Sequence, residues 1–198
     1  MPLARTFNGR QVVTTLQEGY LDRLSKWSDI QEYLPFLHET AKSYPNVRVL
    51  ELGARRGNST LAFLAAAEAV DGHVISVDLD KVTDYTEMRP LAGHPRWTFV
   101  QGDDTKQEVQ EHLPDQVDIL FIDSSHEYDH TLHELRAYMP RVAPGGIALF
   151  HDTRIFGSWS KEGDTVPPVT RALDDYCAKT GQTWENLPGQ YGLGVIRL

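Results

Sequence analysis

The stretch that decides the fold spans residues 47 to 60 and reads Val47-Arg48-Val49-Leu50-Glu51-Leu52-Gly53-Ala54-Arg55-Arg56-Gly57-Asn58-Ser59-Thr60. Its first half is apolar on both faces, which is typical of a strand buried inside a parallel sheet. Its second half contains two glycines that permit a tight turn, and it leads into an apolar helical pattern. A strand, a glycine turn and a helix in this order predict the first unit of an open α/β sheet.

The same alternation of strands and helices continues along the chain. Strand patterns occur at 47–52, 74–78, 97–100, 117–123 and 146–150, and helical patterns occur between them at 58–70, 82–92, 105–113 and 128–141. A further helix is predicted at 167–179, followed by strands at 183–187 and 192–198 with no helix between them. We therefore predict an α/β fold with a doubly wound Rossmann-like sheet, mostly parallel strands and an antiparallel C-terminal edge.

The first 45 residues show no strand signal but show helical spacing twice, at about 11–25 and 29–43. In the second segment one helix face is apolar, with Ile30, Tyr33, Leu34 and Leu37. We predict a helical N-terminal cap over 1–45 that packs over the open end of the sheet, and a Rossmann-like core over 46–198. Because no repeat or linker is evident, residues 1–198 are expected to form one domain.

Composition and charge narrow the function. The 198 residues are 40% hydrophobic and 24% charged, which is typical of a globular domain, and the single Cys177 excludes a disulfide scaffold. A net charge of −9 without an evident basic cluster argues against a nucleic-acid partner. No apolar run reaches the roughly 18 residues of a membrane span. We expect a cytoplasmic protein, and the sequence leaves a homo-oligomer possible.

Two features at the predicted strand ends indicate a nucleoside ligand. The glycine turn and the helix that follows it can hold a carboxylate or a phosphate. Asp78 ends the second strand about 20 residues beyond that loop, where an acid suits the two hydroxyls of a ribose. The G-x-G-x-x-G and Gly-Lys-Ser/Thr patterns of dinucleotide and nucleoside-triphosphate sites are absent, and Glu51 before the first glycine would repel a pyrophosphate.

The loop from Glu51 to Ser59 resembles that of the class I S-adenosylmethionine-dependent methyltransferases, and in particular that of the metal-dependent, catechol-type O-methyltransferases. The resemblance covers residues 47 to 153. It implies that S-adenosylmethionine (SAM) is the cofactor, with Asp78 at the ribose and Gly102 and Asp103 at the adenine edge. The remaining predicted cofactor contacts, most of them at the methionine end, are Glu51, Gly53, Ala54, Gly57, Ser59 and Asp123.

A second group of chemical side chains ends the fourth and fifth strands, in Phe121-Ile122-Asp123-Ser124-Ser125-His126 and Phe150-His151-Asp152-Thr153. Neighbouring strand ends bring Asp123 and Asp152 together, and two such carboxylates repel unless a proton or a cation separates them. Mg²⁺ or Mn²⁺ would fit an acidic pair of this kind, and His151 could add a nitrogen ligand or support the carboxylates.

His126 follows Asp123 by three residues, so a short turn can bring its imidazole over a substrate beside the acids. A neutral imidazole is well suited to removing a proton near pH 7. In the sugar and small-molecule O-methyltransferases that these strand ends resemble, the Asp123 and Asp152 positions bind the metal and the His126 position is the catalytic base. Ser125 departs from that pattern, which has an acid directly before the histidine.

These observations predict a SAM-dependent O-methyltransferase that uses a divalent metal and acts on a hydroxyl of a small molecule such as a sugar, a phenol or a natural product. Two alternatives stay open: a metal-independent N- or C-methyltransferase, and a cofactor-binding module without catalysis. His130 and His133, with Glu134 nearby, have a spacing that permits a metal pair. The H-E-x-x-H pattern of zinc proteases is absent, so no site is predicted there.

Overall fold

The computed structural model describes residues 3–7, 10–157, 160–161 and 164–198. The strands are β1 Leu3–Phe7, β2 Arg10–Thr14, β3 Arg48–Leu52, β4 His73–Asp78, β5 Trp97–Gln101, β6 Val117–Ile122, β7 Val142–His151, β8 Glu185–Leu187 and β9 Leu193–Arg197. The helices are α1 Leu16–Leu24, α2 Leu34–Lys42, α3 Asn58–Ala69, α4 Gln107–Gln110, α5 Tyr128–Tyr138 and α6 Pro168–Thr180. Short 3₁₀ turns occur at Gln31–Tyr33, Val82–Asp84, Arg89–Leu91 and Met139–Arg141.

Seven strands form the main sheet, in the order β5-β4-β3-β6-β7-β9-β8. The pairs from β5 to β7 are parallel, whereas β9 runs antiparallel to both β7 and β8. This confirms the predicted fold class, including its antiparallel C-terminal edge. Because the chain proceeds from β3 to β4 on one side and returns to β6 on the other, the strand order reverses between β3 and β6, where ligands bind in open sheets.

Both faces of the sheet are covered, which explains the continuous apolar runs of its central strands. Successive side chains point to opposite faces. Val49 and Phe121 therefore join the core formed with α1, α2 and α3, whereas Leu50 and Leu120 join the core formed with α5 and α6. Helix α3 is buried on nearly all sides because α1 and α2 pack against its outer face.

The predicted helical cap over 1–45 is wrong at its start. Strands β1 and β2 pair antiparallel, so the pattern at 11–25 is a helix only from Leu16 onward. The β-branched run Val12-Val13-Thr14 favours a strand, and the Asn8-Gly9 pair before it is a strong hairpin signal in sequence, although both residues lie outside the described ranges. The helices α1 and α2 pack on α3, and the segment between them lies at the carboxyl ends of the strands, where it lines a pocket with Gly53 and Asp123.

Two predicted crossover helices also differ from the structure. The segment 82–92 forms two 3₁₀ turns instead of a helix, because the β-branched residues Val82, Thr83 and Thr86 disfavour it and Pro90 restricts the residue before it. The helix predicted at 105–113 is reduced to α4. Among the described helices, none has both the length and the apolar character required to cross a membrane.

Candidate active site

The loops after β3 and β6 meet at the point where the strand order reverses. The Gly53 amide donates to the Val77 carbonyl at 2.9 Å, and the Asp123 amide donates to the Leu52 carbonyl at 2.8 Å. Gly53 has a φ of +88°, and a Cβ at this position would lie 2.1 Å from the Asp123 carbonyl oxygen. Only glycine therefore allows the two loops to approach this closely.

A first pocket opens at the carboxyl ends of four neighbouring strands. Predicted cofactor residues from all four strand ends line it, namely Gly53, Asp78, Gly102, Asp103 and Asp123. They are far apart in sequence, and the parallel strands bring their ends to one edge. This is the arrangement that a nucleoside ligand needs.

Asp78 holds the loop after β3, residues 53–57 and here called the glycine loop, in place. Its Oδ2 accepts hydrogen bonds from the Ala54 amide at 2.9 Å and the Arg55 amide at 2.8 Å, and its Oδ1 accepts from the Asp80 amide at 2.9 Å. A carboxylate oxygen can accept more than one hydrogen bond. Asp78 can thus bind hydroxyls in the first pocket while it fixes the loop on the other side.

Glu51 lies behind the loop rather than in either pocket next to it. Its carboxylate is fully buried and accepts hydrogen bonds from Ser59, Thr60 and Ser76 at 2.5 to 2.7 Å. Burial raises the pKa of Glu51 to about 7, and the three hydroxyls only partly oppose that increase. In this structure Glu51 fixes the start of α3, which begins after Gly57, and Ser59 donates its hydroxyl to Glu51.

The ends of β6 and β7 bring three predicted metal ligands together: Asp123, His151 and Asp152, here called the acidic centre. One candidate ligand atom from each residue lies within 4.8 Å of the other two, and all three residues are buried. His151 Nδ1 lies 3.2 Å from Asp123 Oδ1 and 3.4 Å from Asp152 Oδ1. The sequence therefore predicted this convergence correctly, whereas the binding of a metal there stays a prediction.

Polar atoms of the acidic centre that lack hydrogen-bond partners support a cation site. Asp152 Oδ1 and His151 Nε2 are buried and find no hydrogen-bond partner in the described residues. Burial raises the pKa of Asp152. Burial alone would also raise the pKa of Asp123 and lower that of His151. The attraction between these two residues outweighs burial, so the pKa of Asp123 is lowered and that of His151 is raised to about 9. Positive charge beside these carboxylates is thus favourable.

His126 lies directly beside the acidic centre. Its Nε2 is 3.4 Å from Asp152 Oδ2 and 3.8 Å from Asp123 Oδ1. His126 and Asp152 both have a φ of +60°, an uncommon conformation for residues other than glycine. Strained backbone of this kind concentrates at functional sites, where the surrounding structure maintains it.

A second pocket lies on the other side of Asp123 and of the glycine loop. Four cationic residues line it, Arg23, Lys26, Arg55 and Arg56. The expectation that no basic cluster exists is therefore wrong. The last turn of α1 and the turn after it bring Arg23 and Lys26 next to the Arg55-Arg56 pair, about 30 positions away in sequence. Gly53, Arg55 and Asp123 line both pockets, so they separate two adjoining spaces.

Sequence reasoning missed several residues at these pockets. Asp29 accepts from the Arg55 guanidinium at 3.1 Å and lies at the second pocket. Asp104 and His130 line the first pocket, and Asp104 follows the predicted Asp103 directly. Burial would lower the pKa of His130, but Asp104 and Glu134 outweigh it and raise that pKa to about 10. Sequence spacing could not link Asp104 to His130.

Solved structures with bound cofactor share this fold. The SAH-bound methyltransferase PaMTH1 of Podospora anserina is 18% identical, with a TM-score of 0.66 over 92% of this chain and 86% of that chain. The O-methyltransferase of Bacillus cereus in complex with SAH is 14% identical, with a TM-score of 0.64 over 92% and 90%. TomG of Streptomyces achromogenes, an O-methyltransferase of tomaymycin synthesis in complex with SAM, is 13% identical, with a TM-score of 0.67 over 99% and 92%.

The family comparison agrees with the structural one. No curated protein sequence matches the chain. The family model described as a methyltransferase domain matches residues 50–153, more than half of the chain and the part that contains both the glycine loop and the acidic centre. The chain therefore belongs to this methyltransferase domain family, and its fold is that of the class I SAM-dependent O-methyltransferases.

Proposed function

We propose that the protein transfers a methyl group from SAM to a hydroxyl of a small molecule, with a divalent cation at the acidic centre. One observation supports this most strongly: Asp123 belongs to the acidic centre and also lines both pockets. A methyl donor that extends from the first pocket to the loop after β3 would meet, at this residue, an acceptor that enters by the second pocket and is held at the acidic centre. The cofactor-bound structures of the same fold support SAM as the donor.

The first pocket supplies the groups that bind the cofactor. Asp78 accepts hydrogen bonds from the ribose hydroxyls, and Gly102 and Asp103 lie at the adenine edge. The glycine loop and the first turn of α3, with Ser59, face the methionine end from the second pocket. Free backbone amides at a helix start favour the methionine carboxylate.

Asp123 and Asp152 would hold Mg²⁺ or Mn²⁺, with His151 as a partner that orients the carboxylates or, for Mn²⁺, as a nitrogen ligand. When bound, such a cation orients an acceptor hydroxyl and lowers its pKa. The buried Asp152 Oδ1 without a hydrogen-bond partner and the mutual repulsion of two acids both support this assignment.

His126 takes the proton from the acceptor hydroxyl. The two nearby carboxylates stabilise the imidazolium that results. The hydroxyl oxygen then attacks the methyl carbon of the sulfonium in line, and the carbon–sulfur bond breaks with its electrons going to sulfur. The enclosing loops contribute by positioning the two reactants and by excluding water.

The test of this proposal is methyl transfer from labelled SAM to a panel of sugar and phenol acceptors by extensively dialysed protein. We expect turnover to require Mg²⁺ or Mn²⁺ and to stop with excess chelator. Asp152→Asn should abolish the response to metal and leave SAM binding intact, because Asp152 lies outside the first pocket. Asp115→Asn, an exposed acid before β6, is the matched control and should behave like the parent.

Cofactor binding is tested separately, by calorimetry with SAM and its demethylated product. Asp78→Ala should weaken both roughly 10-fold to 100-fold, because hydrogen bonds to a charged group contribute about 1.5 to 3 kcal/mol. Turnover in excess chelator would instead indicate the metal-independent transferase. Tight SAM binding without transfer to any acceptor would indicate a module without catalysis, and binding of NAD or ATP in place of SAM would refute the proposal.

A further inference from the structure

A second cluster of metal-ligand side chains lies at the far wall of the first pocket. Asp104 follows β5, and His130 and Glu134 lie one turn apart on α5; we call these three the Asp104 cluster. His130 Nε2 is 2.8 Å from Asp104 Oδ1 and 3.6 Å from Glu134 Oε1. One candidate ligand atom from each residue lies within 4.8 Å of the others, a spacing that a single ion can bridge.

Two atoms of the Asp104 cluster, one from Asp104 and one from His130, lie close together without the geometry of a hydrogen bond. The distance from His130 Nε2 to Asp104 Oδ1 would suit a hydrogen bond, yet neither atom makes one within the described part of the chain. Two ligands of one metal have this relation, since each directs its lone pair at the ion and not at the other ligand. Hydrogen-bond partners lie along the N–H direction instead.

Glu134 provides an independent indication of a cation site. Its side chain is fully buried, and Oε1 accepts from the Ser124 hydroxyl at 2.6 Å. Its other oxygen, Oε2, has no hydrogen-bond partner among the described residues. A buried carboxylate oxygen without a partner costs free energy that a cation would recover.

Charge balance points in the same direction. Asp104 is 7% exposed and Glu134 is fully buried, so two largely buried carboxylates face one imidazole. A divalent cation that displaces the His130 proton would face one neutral imidazole and two carboxylates, and its charge would neutralise the two negative charges. The Asp104 cluster thus has the charge and the atom types of a cation site.

We propose that Asp104, His130 and Glu134 bind a zinc ion, at a site separate from the acidic centre. Zn²⁺ accepts histidine nitrogen together with carboxylate oxygen, whereas Mg²⁺ prefers oxygen ligands alone. The ion would join the loop after β5 to α5, two walls of the first pocket that no strand pairing connects. The proposal does not depend on methyl transfer.

The experiment measures zinc bound by the whole chain after equilibrium dialysis, and the Asp152→Asn variant keeps the acidic centre from contributing. We expect this variant to bind one equivalent of zinc. Adding Asp104→Asn or Glu134→Gln should remove it. Adding Asp103→Asn should not, because Asp103 is the adjacent acid and its carboxylate already accepts from Thr105. Far-ultraviolet circular dichroism and thermal unfolding establish that each variant is folded.

A second measurement tests the nitrogen ligand directly. Cobalt bound to the Asp152→Asn variant should show visible absorption bands that shift when His130→Gln is added, since one nitrogen ligand is lost. Zinc content unchanged by both Asp104→Asn and Glu134→Gln in folded protein would overturn the proposal. So would the absence of zinc from the Asp152→Asn variant, and the three residues would then form an ion-paired triad only.

Discussion

At the scale of single residues, His126 combines a strained backbone with two carboxylates near its ring. If it removes the acceptor proton, His126→Ala should lower the chemical rate about 100-fold to 10,000-fold, the usual contribution of general acid–base catalysis. SAM affinity should stay nearly unchanged, because His126 lines neither pocket. Single-turnover rates and calorimetry measure the two effects separately.

The matched control for this change is His133→Ala, which alters an exposed histidine on α5 and should leave the rate unchanged. Catechol hydroxyls are more acidic than sugar hydroxyls, so a catechol acceptor should lose less rate in His126→Ala than a sugar acceptor does. Equal rates for parent and His126→Ala with every accepted substrate would assign the proton to another group, such as His151.

Glu51 makes stability depend on pH. Its pKa is raised from 4.5 in the unfolded chain to about 7 in the fold, so the protonated form is favoured on folding. The stability that Glu51 contributes is therefore fully present below about pH 4.5 and is lost as pH rises from there through about 7. Within that window the loss is at most about 1.4 kcal/mol per pH unit.

Glu51→Gln cannot ionise and should therefore remove this part of the pH dependence. Urea unfolding of parent and variant at about pH 5 and about pH 8 measures it, and the variant should gain stability relative to the parent at the higher pH. Ser76→Ala serves as a comparison, because it removes one hydroxyl donor and keeps the carboxylate. Parallel pH curves for the parent and Glu51→Gln would contradict the assignment.

The sequence indicated the acidic centre because each of its residues ends a strand, and parallel strands bring such ends to one edge. It predicted no site at the Asp104 cluster, although two of its three residues, His130 and Glu134, are one helical turn apart. The spacing that it noted was that of His130 and His133, but His133 is exposed, and the third residue of the cluster, Asp104, comes from the loop after β5. The loop after β5 and helix α5 approach each other only because of how α5 packs on the sheet, and no local sequence pattern indicates that packing.

At the scale of elements, the glycine loop depends on its contact with the loop after β6. Gly53→Ala would place a methyl group against the Asp123 carbonyl, so we expect the two loops to separate and SAM binding to be lost. Gly93→Ala is the matched control: Gly93 also has a positive φ, +76°, but a Cβ there would meet no atom within 4 Å. Both changes cost backbone strain, of order 1 kcal/mol.

Calorimetry with SAM and thermal unfolding of the two glycine variants distinguish the effect of the close loop contact at Gly53 from that of backbone strain, which both variants share. Both proteins should lose some stability, and only Gly53→Ala should lose cofactor affinity. Equal SAM affinity in both variants would mean that the close approach of the two loops is not needed for binding.

Elements with one dominant signal could be predicted, and those with competing signals could not. The predominantly apolar strands β3, β6 and β7 and the apolar helix α3 each show a single pattern. In contrast, 82–92 has helical spacing of apolar residues together with β-branched residues and a proline, and the latter determine the backbone. At the N-terminus, helical spacing likewise concealed a hairpin.

At the scale of the whole molecule, cofactor binding should stabilise the fold, since the first pocket is built from four strand ends that are separate in the unfolded chain. At a SAM concentration about 100 times its Kd, the expected gain is about 2.7 kcal/mol. For a chain of this size that corresponds to a rise in Tm of roughly 5 to 10 °C. Thermal unfolding with increasing SAM measures it, and a Tm that does not change would contradict binding to the folded state.

Trp27 is exposed at the second pocket, so the intrinsic fluorescence of the protein should report what this pocket binds. The Trp27 side chain is 80% exposed, whereas Trp97 is buried, with its Nε1 donating to Ser76, and Trp184 donates to Asp174. An occupant of the second pocket would displace water from the Trp27 indole and shift its fluorescence to shorter wavelength. The shift should disappear in Trp27→Phe and persist in Trp184→Phe. Acceptors could then be identified by their emission change, before any turnover is measured.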